Sequence, residues 1–460
     1  MAIAHKPARN WVCNWMPISP ARIAAFDILL RVEREDSYAS ELLHSSRHAN
    51  LSSADHGLAT ELVMGVLRWR SSLDKYIAER SSQKLTRLDP EVLTALRLAA
   101  YQLLFLDRVP GRAAVHESVE LVKRAKKRSA VPFTNAVLRK FSGAATDHVV
   151  ATPGANAETS SELAERSAHP LWLVERWTQE FGLQIAKQIC AYDQRIPETV
   201  VSISDAAVAD ELRNHKIHLS PGYLLTSAYR VVAGDLTGTR SFRDGQVTIQ
   251  DEASQLVSLL VGQGSHILDC CAAPGGKTRM LAERNPDARI VAMDLHPHRA
   301  RLLRKLVAAT NVQVMVADAR QLPVNEPFDR VLADVPCSGT GTLARNPEIK
   351  WRLKLEDLAD LQTRQLAILQ SAMQRVSPGG RIVYSTCSLE REENSTVVEK
   401  AMSVDHSFRV LDCRAELERL RSQGELRWED IDSLASGPYL RTIPGVHPCD
   451  GFFGAILQKS

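Results

Sequence analysis

From Pro20 to Ser142 the apolar positions recur at the three- and four-residue spacing of a helix face. Ile23, Phe26 and Leu30 make one stripe, Leu62, Val66 and Trp69 a second, and Val92, Leu96 and Leu103 a third. Val115, Val119 and Val122 make a fourth, and Phe133, Val137 and Phe141 a last one. Asp89-Pro90-Glu91 reads as a helix start, with Asp89 at the N-cap and Pro90 at the first helical position. Residues 18–142 are therefore expected to form an all-α domain. The periodicity is lost from Gly143 to Ser161, a stretch rich in Ala, Thr, Ser and Gly that reads as a linker. An amphipathic helix follows at 169–177, with Leu173 and Trp177 on one face. Three short alternating segments come next, at 199–203, 229–232 and 246–249. Residues 162–250 thus read as a small α+β module of the split βαβ kind, a type that often carries RNA, although exposed aromatics for base stacking are not obvious in it.

From Asp251 onward the pattern changes to strand then helix, repeatedly. Strands are expected at 267–268, 290–293, 312–316, 331–333 and 382–384, with helical stretches between them. That alternation predicts an α/β domain over 251–460, with a mostly parallel, Rossmann-like sheet covered on both faces. Its chemistry belongs at the carboxyl ends of the strands.

Length and composition add bounds. A chain of 460 residues is too long for one ordinary domain. No run of about 18 apolar residues is present, so a membrane span is not expected. Met1 to Ser19 lacks the apolar core of a secretory signal, and Met16 is as plausible a start as Met1. Eight cysteines without CxxC spacing fit neither a disulfide framework nor a zinc ribbon; they read as reduced thiols in a cytoplasm, and no metal is expected. The net charge is only +3, but residues 18–142 hold 20 Lys and Arg against 14 Asp and Glu. Five of the six residues from Lys123 to Arg128 are basic. The plain reading is a solvated helix end; beside a nucleic-acid enzyme, phosphate contact is the stronger one.

Around Ile267–Thr278 an apolar pair feeds a Pro274-Gly275-Gly276 turn, and a helical pattern starts at once with Lys277, Met280 and Leu281. Glycines there let a cofactor lie against bare backbone. Asp294, 18 residues after Gly276, closes the second strand and can take both ribose hydroxyls. Asp318 follows the third strand, where an adenine amino group would fall, and Asp334 closes the fourth. A phosphate loop needs glycine where Cys271 stands, and a dinucleotide site needs a further glycine. S-adenosylmethionine has a ribose, an adenine and an amino-acid end but no phosphate to cradle, and suits two glycines and a row of acids.

Two cysteines, Cys337 in Asp334-Val335-Pro336-Cys337-Ser338 and Cys387 in Ser385-Thr386-Cys387-Ser388, stand just past strand ends. A lone cysteine is most often a small buried hydrophobe. Here both fall on the polar rim, and neighbouring strands would root their loops roughly 5 Å apart. Adding a thiolate at C6 of cytosine makes C5 nucleophilic enough to take a methyl group. The thiol needs a lowered pKa, through a helix N-terminus or a nearby cation. The ring needs a partner at N3, for which Asp334 as the protonated acid is a candidate. A base must then remove the C5 proton, and a second thiol suits product release.

These residues resemble the Fmu/Sun (NOL1/NOP2/sun) family of RNA cytosine-C5 methyltransferases. The resemblance rests on the 271–278 run Cys-Ala-Ala-Pro-Gly-Gly-Lys-Thr, Asp334 to Ser338, Arg345 to Trp351, Ser385 to Ser388, Glu392-Glu393-Asn394 and Asp450 to Phe453. It covers 250 to the end of the chain. It implies that Cys387 attacks and Cys337 assists release. It also implies that Cys271, Ala272, Ala273, Pro274, Gly275, Gly276, Lys277, Asp294, Asp318 and Asp334 hold S-adenosylmethionine, with Lys277 and Asp334 near the target base as well. Cys270 replaces a usual aliphatic and Val335 a usual alanine; Cys270 is expected to be an inert strand residue. The front region resembles a NusB-type RNA-binding domain, which implies 16S rRNA, free or in an early small-subunit particle, as the partner of a monomeric enzyme. Two other readings are a non-catalytic RNA-binding assembly or antitermination factor and an RNA-binding nucleotidase, the latter weakened by Cys271.

Overall fold

In the computed structural model, residues 18–35, 37–48, 50–141, 154–203, 205–307 and 309–460 are described; residues 143–153 of the expected linker, and the alternative starts Met1 and Met16, lie outside them. The chain divides into two compact units, on either side of Ala151 and Thr152. In the first, the apolar stripes are the inner faces of helices Pro20–Arg34, Ser53–Arg68, Pro90–Phe105, Gly111–Arg124 and Val131–Arg139. Leu62, Leu96 and Leu121 are fully buried, each stabilising the bundle by roughly 1.5–3 kcal/mol. Pro90 opens its helix as expected. Asp89 sits at the cap without bonding it, because its carboxylate reaches Lys127 Nζ at 3.1 Å instead. The basic run is only partly available to a ligand. Lys123 pairs with Glu120, Arg124 with Asp27 and Lys127 with Asp89, whereas Lys126 and Arg128 are exposed.

In the second unit, helix Leu171–Phe181 buries Leu173 and Trp177. A small antiparallel sheet follows, of strands β1 (Thr199–Ser202), β2 (His218–Pro221), β3 (Ala228–Ala233) and β4 (Thr248–Ile249), in the order β2-β3-β1-β4. Helix Ala206–Asn214 joins β1 to β2, which is the split βαβ arrangement. The sequence reading omits β2 because no residue of it is buried and it ends in proline, so no alternation marks it. This module shares its core with the larger sheet: Val200, Leu224 and Leu225 pack in one cluster with Ile267 and Leu332.

The larger sheet contains all five expected strands: β5 (His266–Asp269), β6 (Arg289–Asp294), β7 (Val312–Val316), β8 (Phe328–Asp334) and β9 (Val376–Thr386). They run parallel in the order β7-β6-β5-β8-β9. The chain moves outward in both directions from β5, so a crevice opens at the carboxyl ends of β5 and β8. Beyond β9 lies an antiparallel margin of β10 (Phe408–Leu411), β11 (Ala435–Ser436), β12 (Tyr439–Arg441) and β13 (Phe453–Lys459), with β13 beside β9. Among the described residues no helix is long and apolar enough to cross a membrane.

Candidate active site

After Asp269 the chain turns through 270–275 before helix Gly276–Arg284 begins. Gly275 has φ +122°, which side chains rarely adopt, and a Cβ there would stand 2.8 Å from Val307. A Cβ on Gly276 would come within 3.1 Å of Gln250 Oε1. The bare turn faces a cavity of about 320 Å³ whose wall includes Ala272, Pro274, Lys277, Gln250, Asp269 and Asp334. Cys271, Ala273, Gly275 and Gly276 also line it.

Two acceptors in this wall, Asp269 Oδ1 and Gln250 Oε1, are buried and take no hydrogen bond. Burial pushes the Asp269 carboxyl up to about 7, against the opposing bond that Thr278 Oγ1 donates to Oδ2 at 2.7 Å. Unpartnered acceptors beside a helix N-terminus suit a ligand that brings a cationic amino group and disfavour a phosphate. The residues present therefore fit the amino-acid end of S-adenosylmethionine and not a nucleoside triphosphate.

Asp294 closes β6 and accepts from His296 N at 2.9 Å. Asp318 is clamped by the Arg320 guanidinium at 2.6 Å, so a ligand at that carboxylate must compete with the arginine. Neither acid is among the residues lining the cavity. Cys270, expected in the strand, lies just past it as the first residue of the turn; it is buried, and burial pushes its thiol up.

Lys277, Asp334, Cys337 and Cys387 do come together. β8 and β9 are neighbours with Asp334 opposite Ser385, and the Cys337 and Cys387 sulfurs are 3.3 Å apart. Lys277 Nζ lies 2.9 Å from Asp334 Oδ2 and donates to Ser254 Oγ at 2.6 Å. Ser385 Oγ donates to Asp334 Oδ1 at 2.7 Å. Burial opposes the Lys277 charge, but Asp334 and the facing Cys387 overcome it and hold the ammonium above its ordinary range. The Cys337 thiol is pushed well above the usual cysteine range, first by its hydrogen bond to Cys387 and then by burial and the facing charges of Cys387 and Glu393. Among the described residues every cysteine is a free thiol.

Arg345 bonds Asp251 Oδ2 at 3.0 Å and Asp450 Oδ2 at 2.8 Å. Sequence reasoning assigns nothing to Asp269, although it ends β5 as Asp294 and Asp334 end β6 and β8; that shared placement is the signal that could have found it. Gln250 and Ser254 carry no such mark, and Glu393 shows only as part of the Glu392-Glu393-Asn394 run, without the partners distant along the chain that bury it.

Residues 257–458 match the family described as 16S rRNA methyltransferase RsmB/F, and residues 19–143 match the NusB family. A Bacillus subtilis protein named probable ribosomal RNA small subunit methyltransferase B is 32% identical over 459 residues, covering 96% of this chain and all of that protein. A Synechocystis protein of the same name is 33% identical over 460 residues, covering 96% and 99%. The crystal structure of PH0851 shares the fold with a TM-score of 0.78 at 24% identity, covering 96% of this chain and all of that one. The chain is thus an enzyme of the ribosomal RNA small subunit methyltransferase B family, with an RsmB/F methyltransferase domain behind a NusB-family domain.

Proposed function

We propose that this enzyme methylates C5 of a cytosine in 16S rRNA through a covalent bond between Cys387 and C6, in the cytoplasm and as a monomer. The observation that carries the reading is the pair of thiols 3.3 Å apart at the ends of adjacent parallel strands, beside the Lys277–Asp334 ion pair and the cavity over the glycine turn. S-adenosylmethionine in that cavity would supply the methyl electrophile. The 271–277 turn, Asp269 and Gln250 would hold its amino-acid end, and Asp294 and Asp318 lie at the strand ends where its ribose and adenine are expected.

Lys277 gives the Cys387 sulfur a facing cation. That sulfur forms the bond to C6, and the electron pair of the C5–C6 double bond is released toward C5. The proton available to the ring sits on Lys277 Nζ, with Asp334 holding the ammonium in place. Once Cys387 is spent on C6 it no longer presents a charge to Cys337. The first of the causes that raise the Cys337 thiol is then gone, while burial and the Glu393 charge remain, and Cys337 is the group placed to take the C5 proton. Loss of that proton restores the double bond, breaks the bond between sulfur and C6, and frees Cys387. A target cytosine must be single-stranded or flipped, because C6 is out of reach in a stacked duplex. Phosphate contact is assigned to the front unit.

Methyl transfer to small-subunit rRNA tests this directly. Cys387→Ala is expected to give no product, and Cys337→Ala a covalent RNA adduct that survives denaturing gels. Normal turnover by both variants would remove both assignments.

A further inference from the structure

Glu393 is fully buried at the end of the short turn Arg391–Glu393. Its Oε1 accepts from Ser338 N and from Gln365 Nε2, both at 2.8 Å. Its Oε2 accepts from the hydroxyls of Ser338 and Ser388. Ser338 follows Cys337 and Ser388 follows Cys387, so one side chain grips the residue after each thiol. Gln365 also donates to Pro336 O at 3.0 Å, which fixes the residue before Cys337 to the same point. Glu393 makes no ion pair among the described residues. A carboxylate buried on neutral donors is costly to keep, and packing alone does not require one. It is the acceptor-only group that four converging donors demand.

We propose that Glu393 is a positioning residue that sets the spacing of the Cys337 and Cys387 sulfurs for the covalent reaction; this rests on the roles given to the two thiols above. The grip is unequal. Two of the four bonds, and a third through the Gln365 relay, act on the Cys337 loop, against one on the Cys387 loop. The Cys387 loop has anchors outside the Cys337 loop: Ser388 O accepts from Asn394 Nδ2 at 2.9 Å, and Thr386 Oγ1 donates to Asn394 Oδ1 at 2.5 Å. Loosening Glu393 therefore displaces Cys337 more than Cys387, and release suffers more than attack.

Glu393→Gln is the discriminating change. Ser338 N and Gln365 Nε2 can only donate, so the amide oxygen takes their side and its NH₂ faces two hydroxyls that can turn to accept. Packing is kept while the pins on both serines are weakened. With small-subunit rRNA and labelled S-adenosylmethionine, the full-length variant is expected to lose about tenfold or more in kcat with KM for RNA within about twofold. During turnover a larger fraction of it should be trapped as RNA adduct than of wild type. Ser388→Ala, which cuts one arm of the same node, should lower kcat in the same way but less, and it decides the matter if the Gln variant does not fold. Wild-type kcat and adduct level would overturn the proposal, as would a kcat loss fully accounted for by the unfolded fraction in a thermal melt. Cys387→Ala run in parallel separates the two ideas. If it still methylates, the covalent reading fails whatever Glu393 does; if it is inert while Glu393→Gln is normal, only the positioning role fails.

Discussion

Asp269 shows how one buried carboxyl affects stability. In the unfolded chain it titrates near the ordinary 3.8, whereas burial holds it at about 7 in the folded protein. Between those values the folded state binds the extra proton, so this group's contribution to stability is greatest below about pH 4, declines to about pH 7, then levels off. Asp269→Asn keeps the shape and removes the titration. Its melting temperature relative to wild type is expected to rise across that window by a few degrees and to stay constant above it, as thermal melts at stepped pH would show. The same residue marks the limit of what could be read from the chain. Cys337, Cys387, Lys277 and Asp334 were legible because strand-end placement and local motif carry them. Asp318 was legible as an acid but not as one occupied by Arg320. Glu393 was legible only as part of the Glu392-Glu393-Asn394 run; its bonds to Ser338 and Gln365, like the burial of Gln250 Oε1, needed the fold.

The strands and loops that bring those side chains together were unevenly visible. β5 to β9 each contain a short apolar run, and such runs are visible in isolation. β10 to β13 form an antiparallel margin defined by pairing, and β2 has no apolar face. Pairing is also what fixes the Cys337 loop. Gly341 N donates to Cys387 O at 2.9 Å, and Gly451 N donates to Gly341 O at 2.7 Å. A Cβ on Gly341 would stand 2.1 Å from Gly451 O, a backbone atom that cannot step aside. Gly341→Ala is therefore expected to cost about 1–3 kcal/mol in urea unfolding and to reduce methyl transfer, since relief of the clash must move the loop that carries Cys337.

For the whole molecule, the contrast between a helical, basic front and an α/β body was plain from periodicity and charge. That residues 162–250 share a core with the methyltransferase sheet was not, because composition does not reveal which apolar faces meet. The charge of the front also needed coordinates to be apportioned. With Lys123, Arg124 and Lys127 held by carboxylates, Lys126 and Arg128 are the residues of that run best placed for phosphate. Lys126→Glu with Arg128→Glu is expected to weaken rRNA binding and to flatten its dependence on log salt by about 0.7 for each phosphate no longer neutralised, measured by filter binding at several salt concentrations. An unchanged slope would assign RNA binding elsewhere. Finally, Arg345 joins Asp251 and Asp450, carboxylates 199 positions apart that also meet directly through the Asp450 amide. Closing so wide a loop costs chain entropy before any bond repays it. The clasp therefore forms only when both ends of the stretch from Asp251 to Asp450 are in place, and a chain folded in part cannot make it.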